Sequence, residues 1–397
     1  MDAELEDTRR YDDDSINEYI DKVKFVDELL KNKLRKTLNI CENMHGGIYF
    51  IQRLIMLENL YCGYNNLKHL PQMPSTLIRL TISNNNVGSL KKLSRCIKLK
   101  VLKCSNNDRL RSLDGLENCI NLEVLDCSSN EKLGTLRGLE KCIKLKKIDF
   151  SYTDIKSVRG LRKCVNIEYI ECSNNDKLIS LRWLENCHNI RKINCSNIKN
   201  LVSLRGIGNC LEINCSNNSN LESLMGIANC LEVNCSNNSK LKNLNGLQNC
   251  PNLKRIDCSK NVNLNSLKGI EKCVECIDIN CSQSNFVTLK ELAKFVNLRN
   301  INCSNNHNLI TLGDLGECTN LINLDCSDNC NLTTLKDLEK CINLRDLDCS
   351  HNKNLLCFDG IENFINLEYL HYSSYTSNTT INRKLRCLPK LKATKCS

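Results

Sequence analysis

The chain has 29 cysteines and only 6 histidines in 397 residues. Thiols at that density can hold a soft metal, cross-link the chain, or cycle between redox states. Zinc needs grouped Cys or His at fixed spacing. Only Cys273-Val274-Glu275-Cys276 has a two-residue gap, with no second pair or clustered histidine beside it. Disulfide frameworks belong to secreted chains. The opening Met1–Asp7 is acidic and has no apolar leader segment, so reduced thiols and a cytoplasmic setting are expected. Redox sensing requires exposed thiols of low pKa. Cys41, Cys276, Cys330, Cys357, Cys387 and Cys396 are the candidates, because the other cysteines fall into regular registers. No Gly-rich phosphate loop, H-E-x-x-H or G-x-S-x-G occurs. We assign no catalytic residue, metal, cofactor or small-molecule substrate.

The spacing of the thiols points to architecture. Twelve recur at the end of an L-x-x-L-x-C-S-N-N pattern: Cys62, Cys104, Cys127, Cys172, Cys195, Cys215, Cys235, Cys258, Cys281, Cys303, Cys326 and Cys349, with Ile82 and Phe150 in the same slot. Eleven recur in the segment that follows: Cys96, Cys119, Cys142, Cys164, Cys187, Cys210, Cys230, Cys250, Cys273, Cys318 and Cys341, with Phe295 and Phe364 as equivalents. Slots that accept Ile or Phe in place of Cys are apolar, so both registers read as core. A period of 20 to 23 residues means stacked units, each unable to bury its apolar side alone.

One unit runs Leu122-Glu123-Val124-Leu125-Asp126-Cys127-Ser128-Ser129-Asn130 and returns through Leu133, Leu136, Leu139 and Cys142. It resembles the leucine-rich-repeat family, L-x-x-L-x-L-x-x-N-x-L, with Cys in the third apolar position. The short unit is similar to internalin-type repeats. Its Cys, Asn, Lys and Ile usage also resembles repeat proteins of giant amoeba-infecting DNA viruses. The resemblance implies an α/β-type repeat solenoid over about residues 57–375, some fourteen repeats, shaped as a horseshoe or arc. A parallel sheet would line the concave face, with turns or 3-10 pieces on the convex face.

Two columns within the unit are candidates for structure and for binding. Asn65, Asn85, Asn107, Asn130, Asn175, Asn218, Asn238, Asn261, Asn306, Asn329 and Asn352 stand three residues after the strand slot. A carboxamide both donates and accepts, so stacked Asn can satisfy inward-facing backbone groups. Thr153, Ile198 and Ser284 interrupt the column, and Ile198 predicts a local irregularity. The residue before the strand slot faces outward and is often acidic. Asp126, Asp149 and Glu171 form one run, Asp325, Asp348 and the nearby Asp346 another, and Asp257 stands alone. This acidic face suggests a protein partner, from host or virus, and argues against nucleic acid, which needs clustered Lys and Arg.

The ends differ in charge. Residues 1–30 carry eleven acids against four bases, whereas 376–397 carry six bases and no acid. The spacing Ser15-Ile16-Asn17-Glu18 with Ile20, Val23, Val26, Leu30 and Leu34 predicts a helix over 15–38. We divide the chain into an acidic disordered 1–14, a helical cap 15–56, the array 57–375, and a basic C-terminal tail or cap, 376–397, read as a degenerate last repeat. The tail supplies the alternative reading, association with nucleic acid through its cations. No apolar run is long enough to span a membrane. Finally, Cys210-Leu211-Glu212-Ile213-Asn214-Cys215 and its counterpart from Cys230 lack three residues against Cys119–Cys127, so curvature should relax over 196–236.

Overall fold

Within Val124–Asp126 the middle Leu125 is buried while its two neighbours stay partly exposed. That alternation is the period-two signature of a strand. Three residues cannot bury themselves, so each strand pairs with its neighbours. Leu125 lies beside Leu102 on one side and Ile148 on the other, in unshifted parallel register. Repetition of this pairing gives a 17-stranded parallel sheet that follows chain order from Thr37–Asn39 to Ala393–Cys396. The computed structural model describes residues 24–31, 33–41, 48–356, 358–373 and 383–396. Among these, no helix is long and apolar enough to cross a membrane.

Returns between strands are plain turns or single 3-10 turns such as Lys91–Leu93, Arg182–Leu184 and Lys336–Leu338. Three-residue 3-10 pieces suit a connection too short for an α-helix. The core lies between sheet and returns and is filled by leucine, isoleucine and cysteine. Close stacking leaves no room for side chains at some turns. A Cβ on Gly115, where φ is +113°, would stand 2.2 Å from the Leu90 carbonyl oxygen of the preceding unit.

The Asn column forms a ladder that Thr153, Ile198 and Ser284 interrupt. Asn130 Nδ2 donates to the carbonyls of Cys127 and Cys104, at 2.8 and 3.1 Å, and its Oδ1 accepts from Asn107 N–H at 2.8 Å. The same bonds recur at Asn218, Asn238 and Asn329. The residue just before each ladder Asn adopts the left-handed region: Asn106, Ser129, Asn174, Asn217, Asn305 and others lie at φ of 52–59°. Asn tolerates that conformation better than most side chains, which accounts for the doubled Asn in the repeat.

The irregularity expected at Ile198 does not occur. Its N–H donates to Asn218 Oδ1 at 2.7 Å and its carbonyl accepts from Leu201 at 2.9 Å, as in repeats that carry Asn. Only the side-chain half of the ladder is lost, and the Cys172 and Cys195 carbonyls still receive Asn175 and Asn218.

The N-terminal end departs from expectation. Of the helix predicted over 15–38, residues 24–31 are helical and 1–23 lie outside the described residues, as does the predicted disorder of 1–14. Residues 37–39 are instead the first strand, because Leu38 and Ile40 alternate into the core and Leu38 pairs with Leu60. At the other end, Ala393–Cys396 adds a strand beside Tyr369–Tyr372. The basic tail thus carries one more unit. Lys392 bonds Glu368 at 2.5 Å, and Lys384 bonds Asp359. Cations engaged in this way are not a free polycation, so the nucleic-acid reading of the tail gains no support.

Candidate functional site

The sheet leaves one face open, made by the first and third residues of every strand. Register sets Asp126 beside Asp149, and Asp149 beside Glu171. Farther along, Asp325 stands beside Asp348, which is followed by His371. Asp346 is two residues before Asp348 on the same strand, between Asn323 and Tyr369. Asp257 lies between Asn234 and Asn280 and joins neither run. The structure therefore brings together both acidic runs that the spacing suggests.

Each acid in this column has a second, local task. Asp126 Oδ1 accepts from the Ser128 hydroxyl at 2.7 Å and from its N–H at 3.2 Å. Asp149 holds Ser151 in the same way, as do Asp257 with Ser259, Asp325 with Ser327, and Asp348 with Ser350. Asn214, Asn234, Asn280 and Asn302 substitute with their amide oxygen. Where Asp or Asn stands in the column, an oxygen on Cγ thus closes the turn after the strand, and charge is optional; Lys103 and His371 stand in the column without one. Sequence reasoning did not find this cap, although the recurring D/N-C-S triplet carried the signal.

Charge nevertheless has electrostatic consequences. Burial raises the Asp149 carboxyl above its ordinary range; the Ser151 bonds lower it, and Asp126 and Glu171 raise it further. Burial likewise raises Asp346; His371 opposes this, and Asp348 and Asp325 add to it. The Asp348 Oδ2 to His371 Nδ1 distance is 4.0 Å. Two shallow hollows lie on this face. One, of about 530 Å³, spans the strands from Tyr169–Glu171 to Asp278–Asn280 and holds the ion pairs Lys192–Glu212 and Arg255–Glu232, each at 2.7 Å. The other, of about 400 Å³, holds Asp278, Asp325, Asp346, Asp348 and His371.

The thiols sit elsewhere. Every described strand-slot cysteine is buried, and so are those of the returns. Burial pushes Cys119 and Cys142 up to about 12, which makes them poor nucleophiles. Of the redox candidates, Cys276 is fully buried, which removes it from that group. It occupies the leucine slot filled by Leu253 one repeat earlier, since the N–H of the following residue bonds the previous repeat identically in both, Ile277 to Lys254 O and Lys254 to Leu231 O. The C-x-x-C spacing is thus C-x-x-L with one replacement. By the same criterion Cys210 and Cys230 also take the leucine slot, because Leu211 and Leu231 make the equivalent bonds to Arg191 and Leu211, while Cys210 N–H still donates to Ile207 O as Cys119 N–H does to Leu116 O. Cys41 and Cys330 are partly exposed and Cys387 is exposed. Cys357 and the Cys396 side chain lie outside the described residues. Among the described residues, no group of three His, Cys, Asp or Glu could hold a metal.

A family model described as leucine-rich repeats, two copies, matches residues 97–141. Solved structures extend the likeness to the whole array. The functional domain of InlJ from Listeria monocytogenes, which includes a cysteine ladder, superposes with a TM-score of 0.65 at 20% identity, covering 87% of this chain and 73% of that one. A leucine-rich-repeat protein of Leptospira interrogans gives 0.58 at 18% identity, with 93% and 97% covered. A chain of the LRIM1/APL1C complex gives 0.67 at 17% identity, with 87% and 65% covered. A comparison with curated protein sequences found no match. The fold is that of a leucine-rich-repeat solenoid.

Proposed function

We propose that this leucine-rich-repeat protein is a non-enzymatic scaffold whose open sheet face takes a cationic segment of another protein. The observation that carries the reading is the adjacency of Asp126, Asp149 and Glu171 at one-repeat spacing. The serine caps occupy one oxygen each of Asp126 and Asp149, whereas Glu171 accepts from Ser173 N–H on one oxygen and from the Tyr169 hydroxyl and Asn194 Nδ2 on the other, at 3.2 and 3.0 Å. Neighbouring strands stand ~4.8 Å apart, and like charges at such distances repel by about 1 kcal/mol even in water. Neutral Asn serves the cap equally well in the next repeats, so nothing in the fold requires the charge. A basic segment laid across the strands would relieve the repulsion. A solved complex among the similar structures supports a binding role for this architecture. We also place the chain in a reducing compartment such as the cytoplasm, in keeping with the free thiols of its core.

The test uses a fluorescein-labelled oligo-lysine peptide. Because the molecule itself carries a net charge of +10, affinity for a polycation has to come from a localised acidic site. The triple variant Asp126→Asn, Asp149→Asn, Glu171→Gln keeps the caps. It should lose about tenfold or more in affinity at low salt, with the melting temperature held or raised. Full affinity of the variant across a salt series would exclude this face as the site.

A further inference from the structure

The returns carry a surface of opposite sign. Arg137, Arg159, Arg182 and Arg205 occupy one position, directly after the Leu or Val that closes the first half of the return, in four successive repeats. All four side chains are exposed. Their backbones are fixed alike: each N–H donates to the hydroxyl two residues earlier, on Thr135, Ser157, Ser180 and Ser203, at 3.1–3.2 Å. Stacking at ~4.8 Å per repeat makes this an arginine column roughly 14 Å long.

The single tryptophan of the chain lies in it. Trp183 takes the place held by Gly160 and Gly206 in the flanking repeats, and its ring is partly buried against the core. The guanidinium carbons of Arg159 and Arg182 lie 5.4 and 5.2 Å from the ring centroid. Arginine held against an aromatic ring loses little freedom on binding and presents its N–H fork outward. Beside the ring is a hollow of about 840 Å³ that Lys156, Arg162 and Lys163 also line. Its one acid, Glu140, is tied down by Gly138 N–H at 2.8 Å. Arg162 stands where Glu117, Glu140 and Glu185 stand in nearby repeats, which reverses the charge at that point.

We propose that this column is a second docking surface, which binds an acidic segment of a protein partner through the guanidinium forks of Arg137, Arg159, Arg182 and Arg205. Arginine clusters recognise acidic motifs through paired N–H···O bonds to carboxylates. A single-stranded nucleic acid would need open aromatic faces on which bases stack. The only aromatic ring in the hollow already carries two guanidinium groups, so carboxylates are the better match.

The experiment is fluorescence anisotropy of a labelled twelve-residue oligo-glutamate on the full chain at low salt, with a thymidine dodecamer run in parallel. Arg159→Ala with Arg182→Ala should weaken oligo-glutamate binding about tenfold or more at an unchanged melting temperature. Arg159→Lys with Arg182→Lys keeps the charge without the fork and should lose part of the affinity. Lys268→Ala with Lys290→Ala alters the same position in repeats without the tryptophan, and should bind as the wild type does. The proposal is overturned if the wild type does not bind oligo-glutamate, if the alanine pair binds it undiminished, or if the lysine control loses as much. Tighter binding of the thymidine dodecamer, lost in the same alanine pair, would overturn it in favour of nucleic acid.

Discussion

At the scale of single residues, the outward acids do two things that can be separated. Asp126 closes the turn through Ser128 and also adds a charge beside Asp149. Asp126→Asn keeps the acceptor and removes the charge, so stability should hold or rise slightly. Asp126→Ala removes both and should cost about 1 kcal/mol, the usual worth of such a bond; chemical denaturation of the pair decides, and equal stability of both variants would refute the cap. Asp149 adds a pH signature. Its carboxyl is raised by burial and by the flanking acids. A carboxyl raised on folding binds its proton more tightly in the native state, so its charge weakens the fold at neutral pH, and that penalty fades on acidification. Asp149→Asn should therefore stabilise at pH 7, with the gain vanishing as pH falls through the raised value toward the ordinary 3.8. A gain independent of pH would contradict this account. The acidic column itself was legible in the sequence. Its interchange with Asn was visible too, but its cause was not, because the serine cap is a contact between neighbours that periodicity does not report.

At the scale of elements, the cysteine registers show where alignment succeeds and where it fails. The strand register aligns on the motif around it and was read directly from spacing. The return register is incomplete at Cys210 and Cys230, because the three-residue deletion lets one thiol stand for both the return slot and the leucine slot. Backbone pairing reveals the second role: whichever residue precedes the one bonded to the previous repeat fills the leucine slot. Two measurements follow. Cys276→Leu restores the residue found at position 253 and should leave stability within about 1.5 kcal/mol, as volume-tolerant apolar exchanges do. Cys276→Ser, which puts a hydroxyl in an apolar slot, should cost about 1–3 kcal/mol. Mass-spectrometric mapping of native alkylation at pH 8 should mark Cys41, Cys330 and Cys387 among the described cysteines. Labelling of Cys119 or Cys142 at a comparable rate would contradict a buried thiol held near 12.

At the scale of the molecule, a solenoid is held by nearest-neighbour contacts, so cooperativity passes through its thinnest interface. The shortened units between Cys195 and Cys235 merge two buried slots, those of Cys119 and Leu122 in the full unit, into the single thiols of Cys210 and Cys230. Each deletion forgoes the burial of about one leucine, on the order of 2 kcal/mol. It also spares three residues the ordering cost of ~1–2 kcal/mol each, so a short unit need not be less stable by itself. What falls is the coupling, because the missing side chain would have touched the units on both sides. Sheet pairing continues through the region without a shift, Glu212 beside Glu232 and Glu232 beside Arg255, and supplies the remaining connection. We therefore expect native-state hydrogen exchange in urea to resolve two opening units, residues before and after about 205–235, and not one global transition. Inserting Ile-Asn-Leu after Cys210 and after Cys230 rebuilds the full-length return. It should bring the two halves to a common opening free energy and urea slope. If the wild type already opens as one unit across all strands, the thin interface transmits as much as the others and the coupling argument fails.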